Sequence, residues 1–266
     1  MCTLFPCSGT CPQAQDLFQQ YDDGALTHGS LSKKDGGLHK VRSAFYGGMN
    51  VYNVLSEVHI SDKDCPKTAA GLLVTPHNSG VFTSNGKSGT LLAVIDVVND
   101  KSADPTKGVK LGGDADYLLV GGSNEGDVDI TTTGYVSVVG LNNKGAVNAK
   151  GADNLVIGNT INSGKVVLAA KTGKIFGVSN SADGEVVIES GTWHFDGPTS
   201  NEGVVHVKSG QVSGNVKENA GTIIIESGVK GKVVFCRLGS GEIKNNGEVE
   251  ISVEPGACMR MYWMGN

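Results

Sequence analysis

Proline and aromatic residues are scarce in this chain: seven prolines, and 6% Phe, Trp and Tyr among 266 residues. No apolar stretch approaches the roughly 18 residues of a membrane-spanning helix, so no membrane span is expected. No Lys/Arg cluster is long enough to follow a phosphate backbone. With a net charge of −5, nucleic acid is not an expected partner. The glycines do not recur every third residue, which excludes collagen. No His-Glu-x-x-His, Cys-x-x-Cys or Gly-x-Ser-x-Gly is present. Gly112-Gly113 and Gly121-Gly122 are not followed by Gly-Lys-Ser/Thr, so neither is a phosphate loop. No cofactor or metal is expected. Met1 to Cys11 lacks a basic start and a long apolar core, so it does not read as a signal peptide.

Glycine, by contrast, is abundant at 39 residues, about twice ordinary usage. From Gly108 to about Ser252 it punctuates a repeat. The clearest copies are Gly184-Glu-Val-Val-Ile-Glu-Ser-Gly191, Gly203-Val-Val-His-Val-Lys-Ser-Gly210 and Gly221-Thr-Ile-Ile-Ile-Glu-Ser-Gly228. The ladder glycines Gly108, Gly126, Gly145, Gly164, Gly184, Gly203 and Gly221 are spaced by 18, 19, 19, 20, 19 and 18 residues. Self-similarity at this period means one supersecondary unit per repeat, each stacked on the next. Further series (Gly173, Gly191, Gly210, Gly228 and Gly140, Gly158, Gly177, Gly197, Gly214, Gly231) imply several corners per repeat. Such corners need either φ > 0 or a backbone too crowded for a Cβ.

Two residues after the ladder glycines stand Val128, Val147, Val166, Val186, Val205 and Ile223; four after stand Ile130, Ala149, Leu168, Ile188, Val207 and Ile225. Positions two apart share one face of a strand. These aliphatic columns therefore predict the dry interior of an all-β parallel β-helix, a β-solenoid, with coils of about 18–20 residues. After Gly221 the columns resume behind Gly247 as Val249 and Ile251, so around Cys236 to Gly241 either one coil is expected to be elongated or a partial coil to be added. Outward, Glu189, Lys208 and Glu226 alternate in sign and predict ion pairs between coils. Another outward row reads Asp129, Asn148, Val167, Val187, His206, Ile224, Glu250. Its apolar middle, Val167, Val187 and Ile224 with His206, predicts a covered or binding stripe. Either the N-terminal segment or another copy of the chain is the expected cover.

The ends differ from the repeat. Residues 1–50 read as an irregular N-terminal cap, with a short helix at Pro12 to Tyr21 and loop from Asp22 to Gly37. Residues 51–253 read as the solenoid, with early strands at Val51 to Ile60, Leu72 to Thr75 and Thr90 to Val98. Residues 254–266, with Met259, Met261, Tyr262, Trp263 and Met264, read as a C-terminal capping tail over the last coil. The six cysteines, Cys2, Cys7, Cys11, Cys65, Cys236 and Cys258, suit disulfides in an oxidising compartment, with 15 possible pairings. Cys236 with Cys258, and Cys65 with one of the first three, are the pairings considered. The protein is expected outside the cell or on its surface.

Candidate chemistry is sparse. Trp193-His194-Phe195-Asp196 places His194 and Asp196 on one strand face, where a His–carboxylate pair suits acid–base work on a sugar. Asp114 with Asp116, and Asp127 with Asp129, offer paired carboxylates but match no Ca²⁺-binding repeat. The coil length and the Gly-x-Val-x-Ile-x-Ser-Gly texture of residues 108 to 252 resemble β-solenoid adhesins and autotransporter passengers. That resemblance implies a right-handed β-helix and a surface or adhesive role. The expected function is a non-enzymatic extracellular structural or adhesive module, with a homo-oligomer or a surface glycan as partner. The alternatives are a carbohydrate-active β-helix enzyme and a virion- or tail-associated β-helix.

Overall fold

The computed structural model describes the strands between Leu31 and Asn99 and, apart from Pro105, residues 100–254; side chains are described in part from Asn78 and throughout 106–254. The proposed helix at Pro12 to Tyr21 and the tail beyond Glu254 lie outside the described residues. Among those described, every regular element is a β-strand. The chain divides into two compact units, residues 1–137 and 138–266.

In the C-terminal unit the strands are parallel and stack coil on coil. One side of each coil carries the ladder: Val147 pairs with Val166, Val166 with Val186, Val186 with Val205 and Val205 with Ile223. These steps of 19, 20, 19 and 18 residues are the predicted period. A broader side runs through 152–158, 172–176, 192–196, 211–216 and 230–235. A short side is built from two-residue strands, Asn142–Asn143, Ile161–Asn162, Ser179–Asn180 and Ser200–Asn201. The fold is thus a β-solenoid of coils about 19 residues long.

Both aliphatic columns face inward as predicted. Val147, Ala149, Val166, Leu168 and Ile188 are at most 1% exposed. Each such aliphatic side chain contributes about 1.5–3 kcal/mol by leaving water. Trp193 is completely buried on the broad side, its Nε1 donating to the Ser190 carbonyl at 2.8 Å. Room for the indole comes from Gly173 one coil earlier, where a Cβ would run into the ring.

The two reasons for glycine separate by series. Most corner glycines of the further series have φ > 0, among them Gly177, Gly191, Gly197, Gly210 and Gly231. The ladder glycines from Gly164 onward do not; there the stack is simply too close. A Cβ on Gly203 would strike the carbonyl oxygens of Gly184 and Ser181.

That contact also identifies the next ladder glycine, and it is Gly241, not Gly247. Gly241 stacks on the Gly221 carbonyl, 20 residues on, and Ile223 pairs with Ile243. Val249 and Ile251 belong to the broad side, opposite Gly231 and Val233. The expected elongated coil is therefore absent. Sequence columns jumped sides there, because the true ladder strand Glu242–Asn245 has turned largely polar and exposed.

In the N-terminal unit the coils are longer and less regular. Glu57–Ser61 pairs in parallel with Val81–Gly86, which pairs with Gly108–Gly113, steps of 24 and 27 residues (57 to 81, 81 to 108). The next step, Val109 to Val128, is 19. Val51 to Ile60, expected as one strand, is two: Val51–Val54 and Glu57–Ser61. The stretch read as loop up to Gly37 contains the strand Leu31–Lys34, antiparallel to Glu57–Ser61. Leu38–Arg42 likewise runs antiparallel to Val51–Val54. His77–Asn78 is a two-residue strand, and Asn85-Gly86 ends the strand Val81–Gly86. Tyr117 is wholly buried, its hydroxyl donating to the Gly112 carbonyl at 2.5 Å.

Candidate functional site

Strand Glu185–Asp196 positions the His194 and Asp196 pair. Alternation holds: Trp193 and Phe195 are buried, His194 is exposed and Asp196 half-buried. Each polar side chain nevertheless has a partner on a neighbouring coil. His194 Nδ1 lies 3.0 Å from Ser213 Oγ. Asp196 accepts from Lys174 Nζ at 2.6 Å. The Lys174 hydrogen bond, aided by its charge, by nearby His194 and by the Gly197 amide, holds the Asp196 carboxyl below its ordinary value despite partial desolvation. A general acid needs the opposite shift. The broad side's outward row reads Lys174, His194, Ser213, Lys232, Glu250 in register, and Lys232 donates to Glu250 at 2.7 Å.

The acidic pair Asp114 and Asp116 is likewise taken up locally. Asp114 accepts from Thr133 Oγ1 at 2.8 Å, and Asp116 accepts from the Tyr135 amide at 2.7 Å. Among the described residues no group of three His, Cys, Asp or Glu side chains is arranged to hold a metal ion.

The outward stripe is present in the predicted order through Ile224: Asn148, Val167, Val187, His206, Ile224. It continues to Lys244 rather than Glu250, since the last ladder strand is Glu242–Asn245. Val167 and Val187 are buried, at 6% and 2% exposure, within a single chain. Lys165–Glu185 on one flank and Lys150–Glu189 on the other, both at 2.8 Å, bracket them. Lys150 thereby reaches past an intervening coil. Glu189 also has Lys208 at 3.9 Å, the predicted inter-coil pair, but Glu226 turns to His206 Nε2 at 2.7 Å instead of to Lys208. Ile224 and His206 are half-buried. The large apolar side chains that are exposed, Tyr135, Ile161, Leu238 and Val253, form no part of the stripe.

One feature of the interior went unread in the sequence. Asn143, Asn162, Asn180, Asn201 and Asn219 are all at most 3% exposed. Each amide nitrogen donates to the amide oxygen of the next, at 2.7, 2.8, 2.7 and 2.7 Å. The second hydrogen of each goes to main-chain carbonyls around the corner, as from Asn180 to Gly184 and Val204. The N-terminal unit has its own ladder, Asn78 to Asn99 to Asn124, at 2.7 Å each. The signal was available: Asn124, Asn143, Asn162, Asn201 and Asn219 each stand two residues before a ladder glycine.

Of the cysteines, Cys236 is described and buried. Cys2, Cys7, Cys11, Cys65 and Cys258 lie outside the described residues. Fold and faces together define a β-solenoid whose corner is held by stacked asparagines. Comparison with protein-family models, with curated proteins and with solved structures finds no match.

Proposed function

We propose that this chain is a structural or adhesive β-solenoid module that works outside the cell without catalysing a reaction. One observation carries the reading. The polar side chains that suggested chemistry are engaged coil to coil, His194 with Ser213 and Asp196 with Lys174, as stacking contacts are. The broad side offers a flat outward array with Thr172, Thr192 and Gln211 in one row beside Lys174, His194 and Ser213 in the next. Such a face suits hydrogen bonding to a surface glycan. Val167 and Val187 are buried without a second copy, so homo-oligomer formation, if it accompanies adhesion, uses another surface.

The test is a glycan array and a cell-surface binding assay on the purified chain, with mass in solution from light scattering. Saturable binding that weakens in His194→Ala, with no new reducing ends from any polysaccharide, is the expected result. Polysaccharide turnover that disappears in His194→Ala would replace this reading with the carbohydrate-active one. A strict trimer with no glycan binding would favour the virion-type reading.

A further inference from the structure

Four aromatic residues fall within 138–254, and three of them are core: Trp193, Phe195 and Phe235 are at most 7% exposed. Phe176 is the exception. It follows buried Ile175 on the broad side, so it points outward, and it is half-buried. In register with it stand Gly158 one coil earlier and Asp196 one coil later. A Cβ on Gly158 would run into three carbons of the Phe176 ring at nearly equal distances, so the ring lies face-down on that glycine. The backbone does not ask for glycine there. Gly140, Gly177, Gly197, Gly214 and Gly231 of the same series all have φ > 0, and Gly158 does not. Room for the ring is the reason for Gly158.

A ring with one face on the sheet presents the other outward. Its surroundings are low. Gly177 follows it in the chain, and Gly197 stands one coil later, where a Cβ would meet nothing nearer than Phe176 Cβ and the Gly177 nitrogen at 4.0 Å. Polar groups flank the ring on the sheet side. Asp196 is one coil spacing away, about 4.8 Å along the stack, close to the width of a sugar ring. Its carboxylate is fixed by Lys174 Nζ at 2.6 Å and by the Gly197 amide. A carboxylate has about four lone-pair positions, so acceptors are left over. His194, two residues before it on the same face, engages Ser213 Oγ through Nδ1, which leaves Nε2 for a second partner. Aromatic faces carry negative charge density and attract polarised C–H bonds, while the carboxylate and the imidazole take hydroxyls.

A hexopyranose of the gluco type meets both demands. Its equatorial hydroxyls leave axial C–H bonds on each flat face and put O–H groups round the edge. We propose that Phe176 is the floor of a carbohydrate subsite, with one neutral gluco-type sugar stacked on the outer face of its ring and Asp196 and His194 bonding the hydroxyls at the sugar's edge. The carboxylate at that edge selects against anionic sugars, since like charges brought together cost affinity. This subsite rests on the glycan-binding reading of the broad side.

The probe is methyl β-glucopyranoside, titrated into the full chain and followed by the sugar's own proton NMR signals. Stacking on the ring is expected to move its axial C–H signals upfield, saturably, with nuclear Overhauser contacts to the Phe176 ring. Phe176→Tyr keeps the shift and the affinity. Phe176→Leu still covers Gly158 but abolishes the shift and weakens binding about tenfold. Asp196→Asn keeps the shift and weakens binding about tenfold, the loss of a charge-assisted hydrogen bond. Methyl β-glucuronide, which carries a carboxylate, is expected to bind more weakly than the neutral glucoside. The subsite is overturned by the absence of an upfield shift and of ring contacts in the native chain, which needs no variant to fold. It is equally overturned by a shift that persists in folded Phe176→Leu, by unchanged affinity in Asp196→Asn, or by tighter binding of the glucuronide. A native chain that binds glycans on the array yet fails these tests loses the subsite and keeps the adhesive reading; one that binds no glycan at all loses both.

Discussion

Two ladders run through the C-terminal unit, one of aliphatic side chains from Val147 to Ile223 and one of asparagines from Asn143 to Asn219. Both repeat one residue type at the coil period, and both are buried. They differ in what they tolerate. The aliphatic column is non-directional and accepts Val, Ile, Leu and Ala in turn, because any apolar group of suitable size stacks there. The amide column accepts only a side chain that both donates and accepts, twice over, in one orientation. Stacking like residues is thus not one device but two: the first supplies most of the driving force, the second sets the corner.

The difference is broken most severely at Asn180. Asn180→Leu keeps the branched shape but leaves one Asn162 amide hydrogen and the Asn201 oxygen without their partner and removes one donor each from the Gly184 and Val204 carbonyls. At 1–3 kcal/mol for a buried unsatisfied group, partly relieved by relaxation, a loss of about 4 kcal/mol is expected in urea unfolding. A loss below about 1 kcal/mol would show that the amides stack without holding the corner. Ile188→Ala, in the wholly buried aliphatic column, is expected to cost about 3 kcal/mol in the same measurement. Gly203→Ala tests the close approach that both ladders rely on. Its new Cβ meets the Gly184 and Ser181 carbonyls, and about 2 kcal/mol of destabilisation is expected, as for overpacking. Calorimetry of that variant should also show a lower melting temperature.

The smallest effect lies on the surface, where neither ladder operates. Lys150 and Lys174 hold the carboxyls of Glu189 and Asp196 below their ordinary values, in each case chiefly through a hydrogen bond. A carboxyl whose folded pKa is depressed contributes stability that is complete above the unfolded value. The contribution is lost as pH falls through the lower folded value. The melting temperature should therefore drop as pH falls below about 4, by an amount worth less than about 1 kcal/mol for these exposed pairs. Replacing Lys150 and Lys174 with Met should flatten that part of the curve.

The two ladders also differ in how legible they were. The aliphatic columns could be read residue by residue because hydrophobic alternation is the primary signal of a strand. Asparagine before glycine reads instead as turn chemistry, so Asn143-Lys-Gly145 and Asn201-Glu-Gly203 carry a turn signal rather than a core one. Insertions hid two more rungs, since Asn180 is four residues before Gly184 and Asn99 nine before Gly108. The column reading failed once, after Gly221, because Glu242–Asn245 has exchanged an aliphatic pattern for a polar one while Val249 and Ile251 on the next side mimic it. His194 and Asp196 were correctly placed on one outward face, but their partners were not legible. Ser213 and Lys174 are neighbours only through a register of 19 and 22 residues.

The asparagine ladder also has a direction. All four of its links run the same way, nitrogen of the earlier coil to oxygen of the later one, from Asn143 through to Asn219. Strand dipoles leave a sheet with little net moment, so five parallel side-chain amides form an unopposed line of polarisation along the stack. Its positive pole is the Asn219 amide nitrogen, which turns to the Gly221 and Glu242 carbonyls at the start of the final coil. Glu242, Glu248, Glu250 and Glu254 are gathered on that coil and just beyond it. Among the described residues the ladder is therefore electrically polar, and the acidic side chains of the last described coil lie at the pole that anions favour.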